Sequence, residues 1–311
     1  MSASGGTRAI VAALAANLGI AASKFVAFAF TGSSSMAAEG VHSLADSGNQ
    51  VLLLVGGHRS HREPDEEHPF GYGRTRYIYA FVVSIVLFSV GGLFAVYEGV
   101  HKILHPEALT SPQWAIGVLL VSIVLESFSL RTAVKESNHV RGGRPWVSFV
   151  RHAKSPELPI VLLEDTGALT GLMLALVGVS LAAATGNGRW DGLGSLSIGV
   201  LLVAIAIFLA IEMNSLLIGE AALPDEVASI RAALEATPEV LRVIHLRTLH
   251  LGPDEILVGA KVAVAHDDTA AAVAHAIDAA ERRVRAAVPA ATRIYLEPDI
   301  DRGPGPSGAG E

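Results

Sequence analysis

Cysteine is absent from the chain and charge is scarce: Asp, Glu, Lys and Arg make up 17% of the 311 residues, where a soluble domain carries about 25%. Without cysteine there is no disulfide framework, no thiolate metal centre and no cysteine nucleophile. The low charge excludes a disordered chain and argues against an ordinary cytosolic enzyme. Basic residues are outnumbered, giving a net charge of −7, so the electrostatic footprint of a nucleic-acid binder is missing. Apolar side chains make up 51% of the residues, and the mean hydropathy is +0.46.

That apolar material is gathered into long runs. A helix rising about 1.5 Å per residue needs roughly 20 mostly apolar residues to cross a hydrocarbon core. Such runs occur at 8–30, 34–57, 77–99, 113–134, 158–184 and 192–218. They predict an α-helical membrane protein with a six-helix transmembrane domain over residues 8–218. The first run is too long for a signal-peptide core and is expected to be retained. The connections carry an orientation signal. Arg59, Arg62, Arg74 and Arg76 lie between the second and third runs. Arg131, Lys135, Arg141, Arg144, Arg151 and Lys154 lie in the stretch 131–157, from the end of the fourth run up to the fifth. The alternate connections hold only Lys102 and Arg189. Basic loops stay on the cytoplasmic side, so both termini are expected there, in an inner (cytoplasmic) membrane.

From residue 221 the pattern changes. Pro224-Asp225-Glu226 opens a short helix, and residues 241–249 and 256–264 alternate as strands around the turn Gly252-Pro253-Asp254. Val273, Ile277, Ala280, Val284 and Val288 fall at helical spacing, and a last strand is expected at 292–297. The order αββαβ predicts a small, ferredoxin-like α+β domain over 221–300. The Gly- and Pro-rich stretch 301–311 is expected to be disordered.

Ionisable side chains inside a membrane are costly and mark sites or pathways. Span two holds Glu39, His42, Asp46 and Asn49 at spacings of 3, 4 and 3, one helical face about 15 Å long. His42 and Asp46, one turn apart, can grip a single divalent ion through a ring nitrogen and an oxygen. A polar seam bonded to a neighbouring helix is the other reading. Span five holds Glu164-Asp165; adjacent helical residues point about 100° apart, so one is expected to face the bundle and the other a helix partner or water. Lys24 is expected to snorkel, and Glu126 to pair structurally with Arg131.

Several strings stand in one order: Ala38-Glu39-Gly40-Val41-His42-Ser43-Leu44-Ala45-Asp46-Ser47 in span two, His68-Pro69-Phe70-Gly71-Tyr72-Gly73-Arg74 before span three, and Ser215-Leu216-Leu217-Ile218-Gly219-Glu220 after span six. With the six spans and the αββαβ tail, they resemble the cation diffusion facilitator, or zinc transporter, family. Asp46-Ser47-Gly48-Asn49-Gln50 and Leu163-Glu164-Asp165 look most like the branch containing the mitochondrial zinc transporter nine. The resemblance implies a homodimeric antiporter in the lipid bilayer, moving Zn²⁺ or a similar ion out of the cytoplasm against protons, with no enzymatic activity.

The family builds its transport site from an HxxxD pair in span two and another in span five. His42, Asp46 and Asp165 match, but Val161 stands where the second histidine belongs; Asn49, Glu164 or water is expected to fill the gap. A loop site in some members uses Asp65 and His68, with Tyr72 here replacing its second histidine, so the loop is expected to anchor span three. In the tail, His245 and His275 match metal positions while Ala260 replaces another ligand. An N/O ligand set suits Zn²⁺ but also Mn²⁺, Fe²⁺, Co²⁺ or Ni²⁺. A metal-binding membrane sensor that does not transport is the rival class.

Overall fold

In a computed structural model of the protein the described residues are 3–31, 34–106 and 112–300; the side chains of 3–5, 30–31, 34–39, 41, 42 and 45 lie outside the description. The tail 301–311, expected to be disordered, also lies outside the described residues. The chain divides after Leu217 into two compact units.

The first unit is helical: α1 Ala3–Thr31, α2 Ser34–Ser60, α3 Thr75–Val86, a π-helical turn Leu87–Leu93, α4 Phe94–Leu104, α5 Pro112–Arg141, α6 Trp146–His152, α7 Glu157–Thr185 and α8 Arg189–Ile218. Among the described residues, five segments are long and apolar enough to cross a membrane: Gly6–Ala29, Thr75–Leu104, Pro112–Arg141, Glu157–Thr185 and Arg189–Ile218. The remaining long helix, α2, has 27 residues, about 40 Å at 1.5 Å each. It is long enough to span, but its polar face lowers its hydropathy. The third span passes from α3 through the π turn into α4, an irregularity that hydropathy does not register.

Termination is local. α5 runs past the expected 134 to Arg141 and stops at Gly142 and Gly143, with φ +58 and +81; only glycine occupies that left-handed region freely. Pro145 then precedes α6, a short helix inside the basic stretch where the sequence pattern shows only a connection. The apolar core gathers Ala9 and Ala13 of α1, Leu53 of α2, Tyr77 and Val83 of α3, Ile160 and Val161 of α7, and Leu209 of α8. At the start of α3, Arg76 is buried and paired with Glu157 in the first turn of α7. This arginine, counted among the basic loop residues, is a helix-to-helix tie.

Glycines of the π turn, of α4 and of α8 set how closely these elements pack. A Cβ on Gly99 would meet the Leu196 backbone nitrogen at 2.4 Å, and one on Gly199 would meet the Val96 nitrogen at 2.5 Å. A Cβ on Gly92 would meet Val203 Cγ2 at 2.7 Å. Spans three and six therefore touch backbone to backbone, as small residues permit in lipid.

The second unit has the expected αββαβ order: α9 Pro224–Glu235, β1 Arg242–Gly252, β2 Glu255–Val264, α10 Ala270–Ala287 and β3 Ala291–Ile300. The sheet order is β1-β2-β3, with β1/β2 antiparallel and β2/β3 parallel. α9 begins with Pro224, and Glu226 Oε2 accepts the Leu223 N–H at 2.9 Å. α10 is capped by Thr269, whose Oγ1 accepts the Ala272 N–H at 3.2 Å. Ile256, Val258, Ala260 and Val262 point into a core closed by Ile230, Leu234, Ala280 and Val284, the period-two pattern expected of β2.

Candidate functional site

The polar face of α2 continues inward as far as Gln50. Ser43, Ser47, Asn49 and Gln50 are all buried, and Asp46 is half-buried. The side chains of Glu39 and His42 lie outside the described residues, though both positions fall on the same helical face of α2. Opposite stands α7, whose Glu164 and Asp165 are both buried. Their 100° separation splits them between two neighbours. Glu164 turns to α2, where Asn49 Nδ2 donates to Oε1 at 3.0 Å and Gln50 Nε2 to Oε2 at 3.2 Å. Asp165 turns to α5, where Ser129 Oγ donates to Oδ2 at 2.7 Å. α1 joins through Asn17, whose Nδ2 donates to Gln50 Oε1 at 3.2 Å.

Two residues given structural readings from sequence belong to this region. Lys24 does not snorkel: it is buried, and its Nζ donates to Ser43 Oγ at 2.9 Å. Glu126 does not pair with Arg131, which is exposed, while Glu126 itself is only 3% exposed. Its charge instead interacts with Asp165, Asp46, Glu164 and Lys24. Five positions of a helix advance about 500°, or 140° around the axis, so Arg131 sits on another face. The signal that could have found Glu126 was its spacing of three from Ser129, a buried polar row on one side of α5.

Buried polar groups normally find a partner. Asn49 does so with only half of its amide. Its Nδ2 must face the Glu164 acceptor, which leaves Oδ1 buried with no hydrogen-bond partner among the described residues. Val161, where a fourth ligand was sought, is fully buried in the apolar core. Among the described residues no three His, Asp or Glu side chains close around one point. Ser129 and the Asn49–Gln50 amides hold the two α7 carboxylates toward different helices.

The loop before α3 uses its carboxylate otherwise. Asp65 accepts from the Tyr72 hydroxyl at 2.7 Å, the His68 N–H at 2.8 Å and Arg62 Nη2 at 3.1 Å. The Tyr72 hydroxyl, then the His68 N–H and the nearby positive charge, hold the Asp65 carboxyl below its ordinary value. With tyrosine in the histidine position, the donors tie the turn leading into α3. In the second unit His245 is exposed on β1 opposite Lys261, Ala260 is buried and His275 is exposed on α10. Lys261 pairs instead with Glu297 at 2.9 Å and Asp299 at 3.5 Å.

A helical membrane unit with buried carboxylates between its spans, followed by a compact αββαβ unit, defines a class of integral-membrane cation carriers. The chain belongs to the cation efflux family: its transmembrane domain matches residues 10–218 and its cytoplasmic domain residues 222–299. It is thus a multi-pass membrane protein of a family that moves divalent metal ions out and is not an enzyme. The chain is 35% identical to the human proton-coupled zinc antiporter SLC30A9, mitochondrial, over 241 residues, covering 77% of this chain and 42% of that protein. It is 28% identical to metal tolerance protein C4 of Arabidopsis thaliana, covering 82% of this chain and 56% of that one. With the manganese efflux system protein MneP of Bacillus subtilis it shares 25% identity, over 83% of each chain. The chain thus spans about two fifths of the mitochondrial relative.

Proposed function

We propose that the protein is a homodimeric metal–proton antiporter that exports a divalent cation, Zn²⁺ in the first instance. The cation sits between α2 and α7, held by His42, Asp46 and Asp165, with Asn49 or Glu164 closing the set. The observation that carries this reading is Asn49 Oδ1, a buried oxygen without a donor among the described residues, on the helical face that also bears Asp46. A polar helix seam satisfies its amides; a cation site leaves an oxygen for the ion.

A divalent ion must shed water to enter the bundle, and anionic or imidazole ligands have to replace it. His42, Asp46 and Asp165 offer one neutral nitrogen and two negative charges, matching the charge of the ion. Only neutral His and ionised Asp coordinate, so protons and metal compete for the same atoms. Protonation from the outside releases metal, and deprotonation toward the cytoplasm readmits it, with histidine able to titrate near neutrality. The αββαβ unit serves the dimer, and the ten-to-two basic asymmetry of the loops sets both termini in the cytoplasm.

The test is metal uptake into proteoliposomes with an imposed pH gradient, using a panel of Zn²⁺, Mn²⁺, Fe²⁺, Co²⁺ and Ni²⁺. His42→Ala and Asp46→Ala are expected to abolish metal-driven proton movement; unchanged flux in either refutes the assignment. Manganese is the second reading, favoured by the excess of oxygen over nitrogen among the candidate ligands. A sensor binds metal in the same vesicles without moving it.

A further inference from the structure

The fourth ligand cannot come from position 161 of α7, because Val161 lies in the apolar core, and Glu164 is taken up by the Asn49 and Gln50 amides. The fourth span offers one. Glu126 of α5 is 97% buried and has neither a hydrogen bond nor an ion pair among the described residues, although its charge interacts with Asp46, Glu164 and Asp165. A carboxylate in the middle of a membrane bundle normally faces a donor, a counter-charge or a cavity. This one lies three residues before Ser129, whose hydroxyl touches Asp165. It lies four after Ser122, whose buried Oγ also lacks a partner among the described residues. At those spacings the three side chains share one face of α5, and Ser129 shows where that face is directed.

We infer that Glu126 is a cation ligand, and that the site is completed from the fourth span in place of the histidine missing at Val161. This rests on the reading of a cation site between α2 and α7, and deepens it. In the structure Ser129 draws Asp165 toward α5, the side from which Glu126 projects. Binding a cation exchanges that hydroxyl contact for coordination and gathers Asp46, Glu126 and Asp165 with His42. Three carboxylates exceed the charge of one divalent ion. Lys24, buried against Ser43 on the α1–α2 side, supplies positive charge that offsets part of the excess. With Glu164 left to the Asn49 and Gln50 amides, the set becomes one nitrogen and three carboxylates, which shifts preference toward harder ions than a two-histidine site takes.

The experiment is equilibrium binding of Zn²⁺ and Mn²⁺ to the full chain in detergent micelles, comparing wild type with Asp165→Asn, Glu126→Gln and Glu126→His. Loss of a ligand is expected to weaken binding by more than the roughly 10- to 100-fold typical of groups that only orient ligands. Glu126→Gln should therefore weaken both metals by at least about 100-fold. Glu126→His should recover Zn²⁺ but not Mn²⁺, a selectivity change that a merely structural role does not produce. If Asp165→Asn loses binding while Glu126→Gln binds as wild type, the inference is overturned and the α2–α7 site stands. Failure of Asp165→Asn to weaken either metal removes that site and the inference with it. Should Glu126→Gln not fold, Glu126→Asp decides: a carboxylate set back by one methylene weakens Zn²⁺ binding if it is a ligand, and wild-type affinity overturns the idea.

Discussion

Breaking the tie between Arg76 and Glu157 tests whether α3 and α7 are locked together at their first turns. Both side chains are buried, 8% and 4% exposed. Removing one member of a buried pair costs about 3–5 kcal/mol, whereas replacing both with apolar residues is often neutral. The two single variants are not equivalent. Glu157 lies in the first turn of α7, where the helix N-terminus favours a negative charge by about 0.3–1 kcal/mol. Arg76 lies in the first turn of α3, where the same dipole opposes a positive one. Glu157→Leu should therefore be the worse variant, near the top of that range, and Arg76→Met nearer the bottom. The double variant should return to within about 1 kcal/mol of wild type, giving a coupling of several kcal/mol. Equilibrium unfolding in mixed micelles, followed by tryptophan fluorescence, measures all four proteins. Additive single effects, or an Arg76→Met loss exceeding that of Glu157→Leu, refute the reasoning.

Two further outcomes follow from the packing and the site. Gly99→Ala places a methyl 2.4 Å from the Leu196 nitrogen; the overpacking should lower stability by about 1–3 kcal/mol, and an unchanged melting temperature contradicts the close approach of the two spans. Val161→His buries an imidazole among apolar side chains and should destabilise the metal-free protein by about 1–3 kcal/mol. Zn²⁺ at 100-fold its Kd should restore about 2.7 kcal/mol; a melt no more responsive to Zn²⁺ than wild type places position 161 away from the ion.

Much of the fold could be read before any coordinates. Long apolar runs have no other use at this length, and the period-two pattern of β2 against the helical stripe of α10 left little freedom in the order αββαβ. Boundaries were less legible. Gly142 and Gly143 end α5 beyond where hydropathy fades, because a helix stops at its backbone signals rather than at the edge of the oil. The site was legible along single helices but not between them. The angular argument separated Glu164 from Asp165 correctly, yet it could not name Ser129, Asn49 and Gln50 as their partners. Lys24 and Glu126 turn inward against the sequence expectation, because a lone charge in a span looks the same whether it reaches water or turns inward. Which it does depends on the rotation of the helix about its own axis, a quantity fixed by packing across the bundle.

The glycine contacts of the third span against the sixth have a mechanical meaning. Where two backbones meet with no side chain between them there is no lubricating layer of rotamers, so neither helix can roll or slip without the other. Those two spans form a stiff wall. In the proposed antiport, alternating exposure of the cation is then carried by α1, α2, α5 and α7, whose contacts at the buried carboxylates are hydrogen bonds that can be traded one for another.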